Sequence, residues 1–158
     1  MTTTPLPLRT CVLRHVPGPD GPPPHFDWLL EPAGAREPDE TRDVLTWRCH
    51  RRPDRLGPGE LARLEPIGLH RRAWLGRASG STHALASTPL GTATVVARGR
   101  AGIQDAGRGE IRIEWFPSNL QTALLLGADL RRSTSLLRIT ADPRRDRTDH
   151  EPTNGSSA

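Results

Sequence analysis

Proline and glycine recur so often along this chain that no long helix fits between them. Sixteen prolines and 15 glycines fall among 158 residues. Each proline fixes φ and removes a backbone donor, and each glycine favours a turn. The runs left between these breaks are short and rich in β-branched, aromatic and aliphatic side chains, as strands are. They lie at 9–16 (RTCVLRHV), 25–31 (HFDWLLE), 43–50 (DVLTWRCH), 91–99 (GTATVVARG), 111–116 (IRIEWF), 122–130 (TALLLGADL) and 135–141 (SLLRITA). A Pro/Gly loop, PGPDGPPP at 17–24, separates the first two and cannot itself be helix or mid-sheet. The early runs therefore predict an antiparallel meander, and the last two a closing hairpin around GADLRRST. The stretch 61–76 (LARLEPIGLHRRAWLG) is ambiguous, because Pro66 and Gly68 interrupt any continuous helix. A turn or two of helix is expected at 58–65, and 79–89 reads as a surface loop. The fold expected is mainly β: a small closed or partly open antiparallel β-barrel with little helix.

Domain organisation follows from composition. Hydrophobic residues make up 34% of the chain, a modest share for a globular protein. Residues 1–8 read as a flexible leader and 9–141 as one β-barrel domain. The charged, turn-rich stretch 142–158 (DPRRDRTDHEPTNGSSA) reads as a disordered tail. No internal repeat is evident. No apolar run approaches the roughly 18 residues that span a membrane, and MTTTPLPLRT lacks the charged and apolar regions of a signal peptide. A cytoplasmic protein with no membrane partner, acting as a monomer, is expected. Cys11 and Cys49 form no disulfide framework and no C-x-x-C pair, and sit in strand-like runs as buried thiols.

All 22 basic residues are arginine, and the net charge is +4. An arginine-rich surface is compatible with nucleic acid, because the guanidinium grips phosphate with a two-pronged fork. A GC-rich genome that replaces lysine by arginine throughout accounts for the same composition, and the two explanations are not exclusive.

The chemistry is concentrated in the first two strands. Side chains two apart on a strand share a face, so His25, Asp27 and Leu29 point one way and Phe26, Trp28 and Leu30 the other. The second set is core packing. The first begins with an imidazole and a carboxylate, both ligands for a divalent metal. Pairing 9–16 with 25–31 as a hairpin brings His15 beside His25. Three ligands with open positions left over describe a catalytic metal site rather than a structural one. On spacing alone, an H-x-D triplet is a weak signal, and a His–Asp hydrogen bond at a strand edge, or chance, explains it better than a metal does. Elsewhere, adjacent Cys49–His50 reads as incidental, and His83 and His150 carry no role. Trp47, Trp74 and Trp115 read as core residues, with base stacking the alternative. No G-x-S-x-G surrounds Ser79 or Ser81, which excludes the serine-hydrolase elbow.

HVPGPDGPPPHFDWLLE resembles the signature of the 3′-phosphoesterase domain of bacterial DNA ligase D and its short stand-alone relatives. In that family a His closes the first strand, a short loop follows, and His-aromatic-Asp-x-Arg-Leu-Glu comes next. His15, His25, Phe26, Asp27, Leu30 and Glu31 fit. DVLTWR (43–48), LHRRAWLG (69–76), GTATVVARGRAG (91–102) and LLLGADLRRSTSLLRI (124–139) resemble later family segments in the same order. The likeness spans about residues 9–140, and its specific part is the first segment. The resemblance implies a compact β-barrel with a metal site at one mouth. His15, His25 and Asp27 would be the ligands, with manganese the family's usual ion and zinc or another divalent ion an alternative. It implies His70 across the site as the catalytic residue contacting the scissile phosphate. Arg51, four after Trp47, takes the place of a phosphate-binding Lys, and Arg71 beside His70 is a further phosphate-binding candidate. The implied partners are DNA 3′ ends, with or without a terminal ribonucleotide, and a repair ligase or polymerase. The implied reaction removes 3′-ribonucleosides or 3′-phosphates, a hydrolase step in DNA repair.

The chain departs from the family where chemistry is at stake. The Arg of His-x-Asp-x-Arg is Leu29, the Tyr after the second His is Trp74, and the acidic residue after that Tyr is lost in GRASG (76–80). Indole donates a hydrogen bond but neither accepts one nor transfers a proton. These changes keep open a catalytically impaired relative that binds nucleic acid or a protein partner, and beyond it a barrel kept as a structural module.

Overall fold

Strand β1 (Leu8–Val16) turns at Pro17 and returns as β2 (His25–Leu30), so that Thr10 faces Leu30 and His15 faces His25. In this computed structural model, which describes residues 7–85, 91–117, 119–127 and 129–140, the meander continues through β3 (Arg42–Cys49), β4 (Leu61–Pro66) and the short β5 (His70–Arg71). It then runs through β6 (Thr82–Ala84), β7 (Thr92–Asp105), β8 (Glu110–Trp115), β9 (Asn119–Leu126) and β10 (Ser135–Thr140). The order β1-β2-β3-β4-β10-β9-β8-β7 closes on itself because β1 also pairs with β7, and β6 extends the sheet beyond β7. All the pairings are antiparallel. The mainly β expectation holds, with a hydrogen-bonded ring of strands. The expected leader (apart from Pro7 and Leu8) and the expected tail lie outside the described residues, as does His150.

The expected helix at 58–65 is a strand. Ala62 and Leu64 alternate inward with exposed Leu61 and half-buried or exposed neighbours, and they pair with β10, so tertiary pairing decides the segment. The helical content among the described residues is two 3-10 turns, Pro53–Arg55 and Arg72–Gly76. The expected surface loop at 79–89 contains β6, and its residues 86–90 are outside the described set.

Two cores share the strands. The larger draws on Val12, Trp28, Trp47, Leu64, Ile113 and Trp115, with contributions from every strand of the ring. Trp28 and Trp47 face each other in register with ring centroids 4.9 Å apart, a packing worth about 0.5–1.5 kcal/mol beyond area burial. Polar groups inside are paired: Trp28 Nε1 donates to Thr10 Oγ1 at 2.8 Å, and Trp115 Nε1 donates to Gln121 Oε1 at 2.8 Å. The smaller core lies on the outward face of β1–β3 and β7, where Cys11, Leu13, Leu29, Val44 and Val95 are roofed by Trp74 and Leu75 of the second 3-10 turn. A bulge at Val96 lets β7 serve both cores. Val95 pairs with Leu13 on the outer side and Ala97 with Val12 on the inner side. Strand β2, covered on both faces, accordingly reads as an almost unbroken apolar run. Both thiols are free and buried, and burial raises their pKa values, that of Cys11 to about 12.

A candidate metal centre

The hairpin of β1 and β2 sets the trio. His15 pairs with His25 across the hairpin and Leu13 with Asp27, so the three side chains emerge together on the outward face, beside the smaller core. His15 Nδ1 and His25 Nε2 lie 3.1 Å apart, His25 Nε2 and Asp27 Oδ1 3.4 Å, and His15 Nδ1 and Asp27 Oδ2 3.8 Å. Two ligands at zinc–nitrogen or zinc–oxygen distance in a tetrahedral shell stand about 3.4 Å apart. The three separations bracket that value. One donor atom from each residue lies within 4.8 Å of the others.

Three observations test whether these residues fit a metal. His25 Nδ1 lies 2.9 Å from the Pro23 carbonyl; as the donor there, the usual second bond that orients a ligand histidine, it leaves Nε2 as the acceptor, facing His15 Nδ1 at hydrogen-bond distance. His25 and Asp27 are buried at 6% and 3% exposure. Asp27 Oδ1 is buried with no hydrogen-bond partner among the described residues, although the two imidazoles stand within ion-pair distance of the carboxylate. A buried oxygen left unsatisfied costs about 1–3 kcal/mol, more if charged. Burial raises the Asp27 pKa against the lowering effect of His25, His70, His15 and Arg48. A divalent cation is the partner this donor set fits.

The trio opens on a cavity of about 570 Å³ through His15 and Asp27, with His25 behind them. Chain beyond β4 forms the far wall. Ile67 N–H donates to the Thr46 carbonyl, and β5 then pairs with Arg42 and Val44 of β3, which carries His70 and Arg71 over the opening. His70 is half-buried, with Nδ1 3.0 Å from the Gly68 carbonyl. Desolvation lowers its pKa, while the Gly68 bond and Asp27 work in the opposite direction. Trp74 lines the same cavity, with the Arg77 guanidinium 3.7 Å above its ring and the edge of His83 against it.

The structure therefore brings His15, His25, Asp27, His70 and Arg71 to one place. The site is on the outer side of the sheet, under the 67–77 segment, and not in a mouth of the ring. Arg51 is not brought there. The strand ends at Cys49, and Arg51, exposed beyond it, pairs with Glu60 and donates to the Leu61 carbonyl at 3.2 Å. Cys49 and His50 part company, one buried and one exposed.

Arg48 was missed by sequence reasoning. It pairs in register with Asp27, lines the cavity, and its Nε is buried without a hydrogen-bond partner among the described residues. The signal was strand alternation: Val44, Thr46 and Arg48 share a face, and pairing β3 with β2 turns that face toward Asp27. A larger cavity, about 710 Å³, opens between the start of β1 and the 33–36 loop. Its deepest arginine, Arg72, is held by Asp43 at 2.8 Å through two hydrogen bonds, and Arg9 is held by Glu31. No protein-family model and no curated protein matches this chain.

Proposed function

We propose that this protein is a metal-dependent phosphoesterase-like protein that acts on DNA 3′ ends, removing a 3′-phosphate or a 3′-terminal ribonucleoside during end repair. The observation that carries the reading is the buried Asp27 oxygen without a hydrogen-bond partner, grouped with two imidazoles at the edge of an arginine-lined cavity. The resemblance of residues 9–140 to the ligase D phosphoesterase domain supplies the substrate class. A bound divalent ion would polarise a phosphoryl oxygen and offset developing charge, with manganese the ion the resemblance favours and zinc the alternative. The chain's own residues do the rest. His15, His25 and Asp27 hold the ion, and the Pro23 carbonyl fixes the His25 ring. His70, with Nδ1 engaged by Gly68, keeps Nε2 for a proton exchanged with the leaving oxygen. Arg71 and its neighbours hold flanking phosphates. A repair ligase or polymerase would use the resulting 3′-hydroxyl.

Leu29 and Trp74 favour a second reading, a catalytically impaired relative that binds nucleic acid or a repair protein. Leu29 is fully buried, and Trp74 stands where the family has a proton-carrying Tyr. One experiment separates the two. Primers ending in a 3′-phosphate or a 3′-ribonucleotide are incubated with the purified protein and manganese, with His25→Ala as control. Appearance of a 3′-hydroxyl with wild type alone supports the enzyme. Metal and DNA binding without product refutes it in favour of the binding module, and absence of both leaves a structural domain.

A further inference from the structure

Arg48 is the anomaly of this site. Guanidinium N–H groups left unpaired below a surface are expensive, and native proteins satisfy the great majority of them. Among the described residues the buried side-chain atoms without partners are Arg48 Nε and Asp27 Oδ1, and the two residues stand directly opposite each other on β3 and β2. One is a cation's donor and the other an anion's acceptor. They stand in register, yet they make no salt bridge with each other among the described residues. Both line the same cavity. Asp27 lies within ion-pair distance of both imidazoles and not of Arg48, so the register leaves room for a cation at Asp27 and an anion at Arg48 side by side.

The chemistry of that anion can be narrowed. Leu29, the next outward residue along β2, is sealed in the smaller core, so β2 offers no cation beyond Asp27 and β3 supplies it instead. Arg42, Arg71 and Arg77 also line the cavity, but Arg42 and Arg71 are exposed and Arg77 lies on the Trp74 ring. Arg48, half-buried with its Nε enclosed, is therefore the contact that faces Asp27. A guanidinium fork takes two oxygens of a phosphate in a bidentate pair. A phosphodiester has two non-bridging oxygens and one negative charge, so the fork and the metal trio must share them. A phosphomonoester has three and up to two charges, so one remains.

We propose that Arg48 forms, beside the metal trio, a subsite selective for a terminal phosphomonoester over an internal phosphodiester. The inference rests on the 3′-phosphate half of the phosphoesterase reading for its substrate class and on the geometry of β2 and β3 for the residue.

The test is binding to the full-length protein loaded with manganese, read by paramagnetic relaxation of the ³¹P signal. Thymidine 3′-monophosphate serves as the monoester and the dinucleotide TpT as the diester. Wild type binds the monoester more tightly. Arg48→Gln weakens the monoester on the order of 10- to 100-fold, the worth of a charge-assisted bond, with little change for the diester and no loss of manganese affinity by spin-resonance titration. Arg48→Lys, which keeps the charge and the fold but loses the fork, falls between. Equal monoester affinity in wild type and Arg48→Gln overturns the proposal, as does an equal loss for both ligands, or a wild type that holds manganese and binds neither. Selective monoester binding without any turnover removes the catalytic reading and leaves the subsite. If no metal binds, the same titrations followed by ³¹P chemical shift still decide the role of Arg48.

Discussion

Leu29→Arg restores, on paper, the guanidinium that the resemblance to ligase D leads one to expect two residues after Asp27. The structure says it destroys the protein's stability instead. Leu29 has no exposed surface and packs in the smaller core with Cys11, Leu13, Val44 and Leu75. Removing the leucine forfeits about 1.5–3 kcal/mol of burial. An unpaired guanidinium in its place adds a desolvation cost of several kcal/mol after relaxation. The sum, roughly 4 kcal/mol or more, is a large part of the roughly 5–15 kcal/mol that holds a domain together. Urea unfolding followed by tryptophan fluorescence measures it: the midpoint should collapse for Leu29→Arg, whereas Leu29→Met, which preserves volume, should cost less than about 1.5 kcal/mol. A Leu29→Arg protein with near-native stability and tighter phosphate binding would show that position 29 reaches the cavity. The assignment of that role to Arg48 would then be wrong.

Arg72, 3% exposed, is gripped by Asp43, whose carboxyl the two hydrogen bonds hold below its ordinary value. A depressed folded-state value means stability that is fully present above the unfolded carboxylate value of about 3.9 and lost as pH falls through the lowered one. Asp43→Asn should therefore cost about 1–3 kcal/mol at pH 7 by urea unfolding, and the gap to wild type should shrink progressively as pH falls below about 3.9; a gap that does not shrink there contradicts the ion-pair account. Gly99 lets β7 pass close to β8, since a Cβ there would lie 2.3 Å from the Glu114 carbonyl oxygen. Gly99→Ala should lower stability by about 1–3 kcal/mol in thermal unfolding, and an unchanged midpoint would mean the strands can part without cost. Arg51, paired with Glu60 away from the cavity, should be replaceable by alanine with no change in manganese or phosphate affinity by titration, and a loss of phosphate affinity would put it back in the site.

The hairpin that builds the site was legible because it is local. Pro17 ends β1, the 17–24 loop cannot join a sheet, and period-two alternation then sorts His25 and Asp27 from Phe26 and Trp28. What was not legible depends on distant partners. Leu61–Pro66 becomes a strand through β10, more than 70 residues on, and its proline masked the alternation of Ala62 and Leu64. The stretch 61–76 reads as ambiguous and its Trp74 as core, but nothing local shows that Arg72 is buried against Asp43 or that Trp74 and Leu75 roof a second core. That roof moved the site to the outer face of the sheet. Arg48 was hidden for the same reason: its face was readable, but the register of β3 on β2 was not, and register alone sets it opposite Asp27.

The central claim is that His15, His25 and Asp27 hold a divalent metal. Manganese titrated into the metal-stripped protein, followed by loss of the free-ion spin-resonance signal, tests it directly. The account predicts one saturable site in wild type that disappears in both His25→Ala and Asp27→Ala, each shown to be folded by circular dichroism. No saturable site for manganese or zinc in the folded wild-type protein, or a site that survives both substitutions, would contradict it.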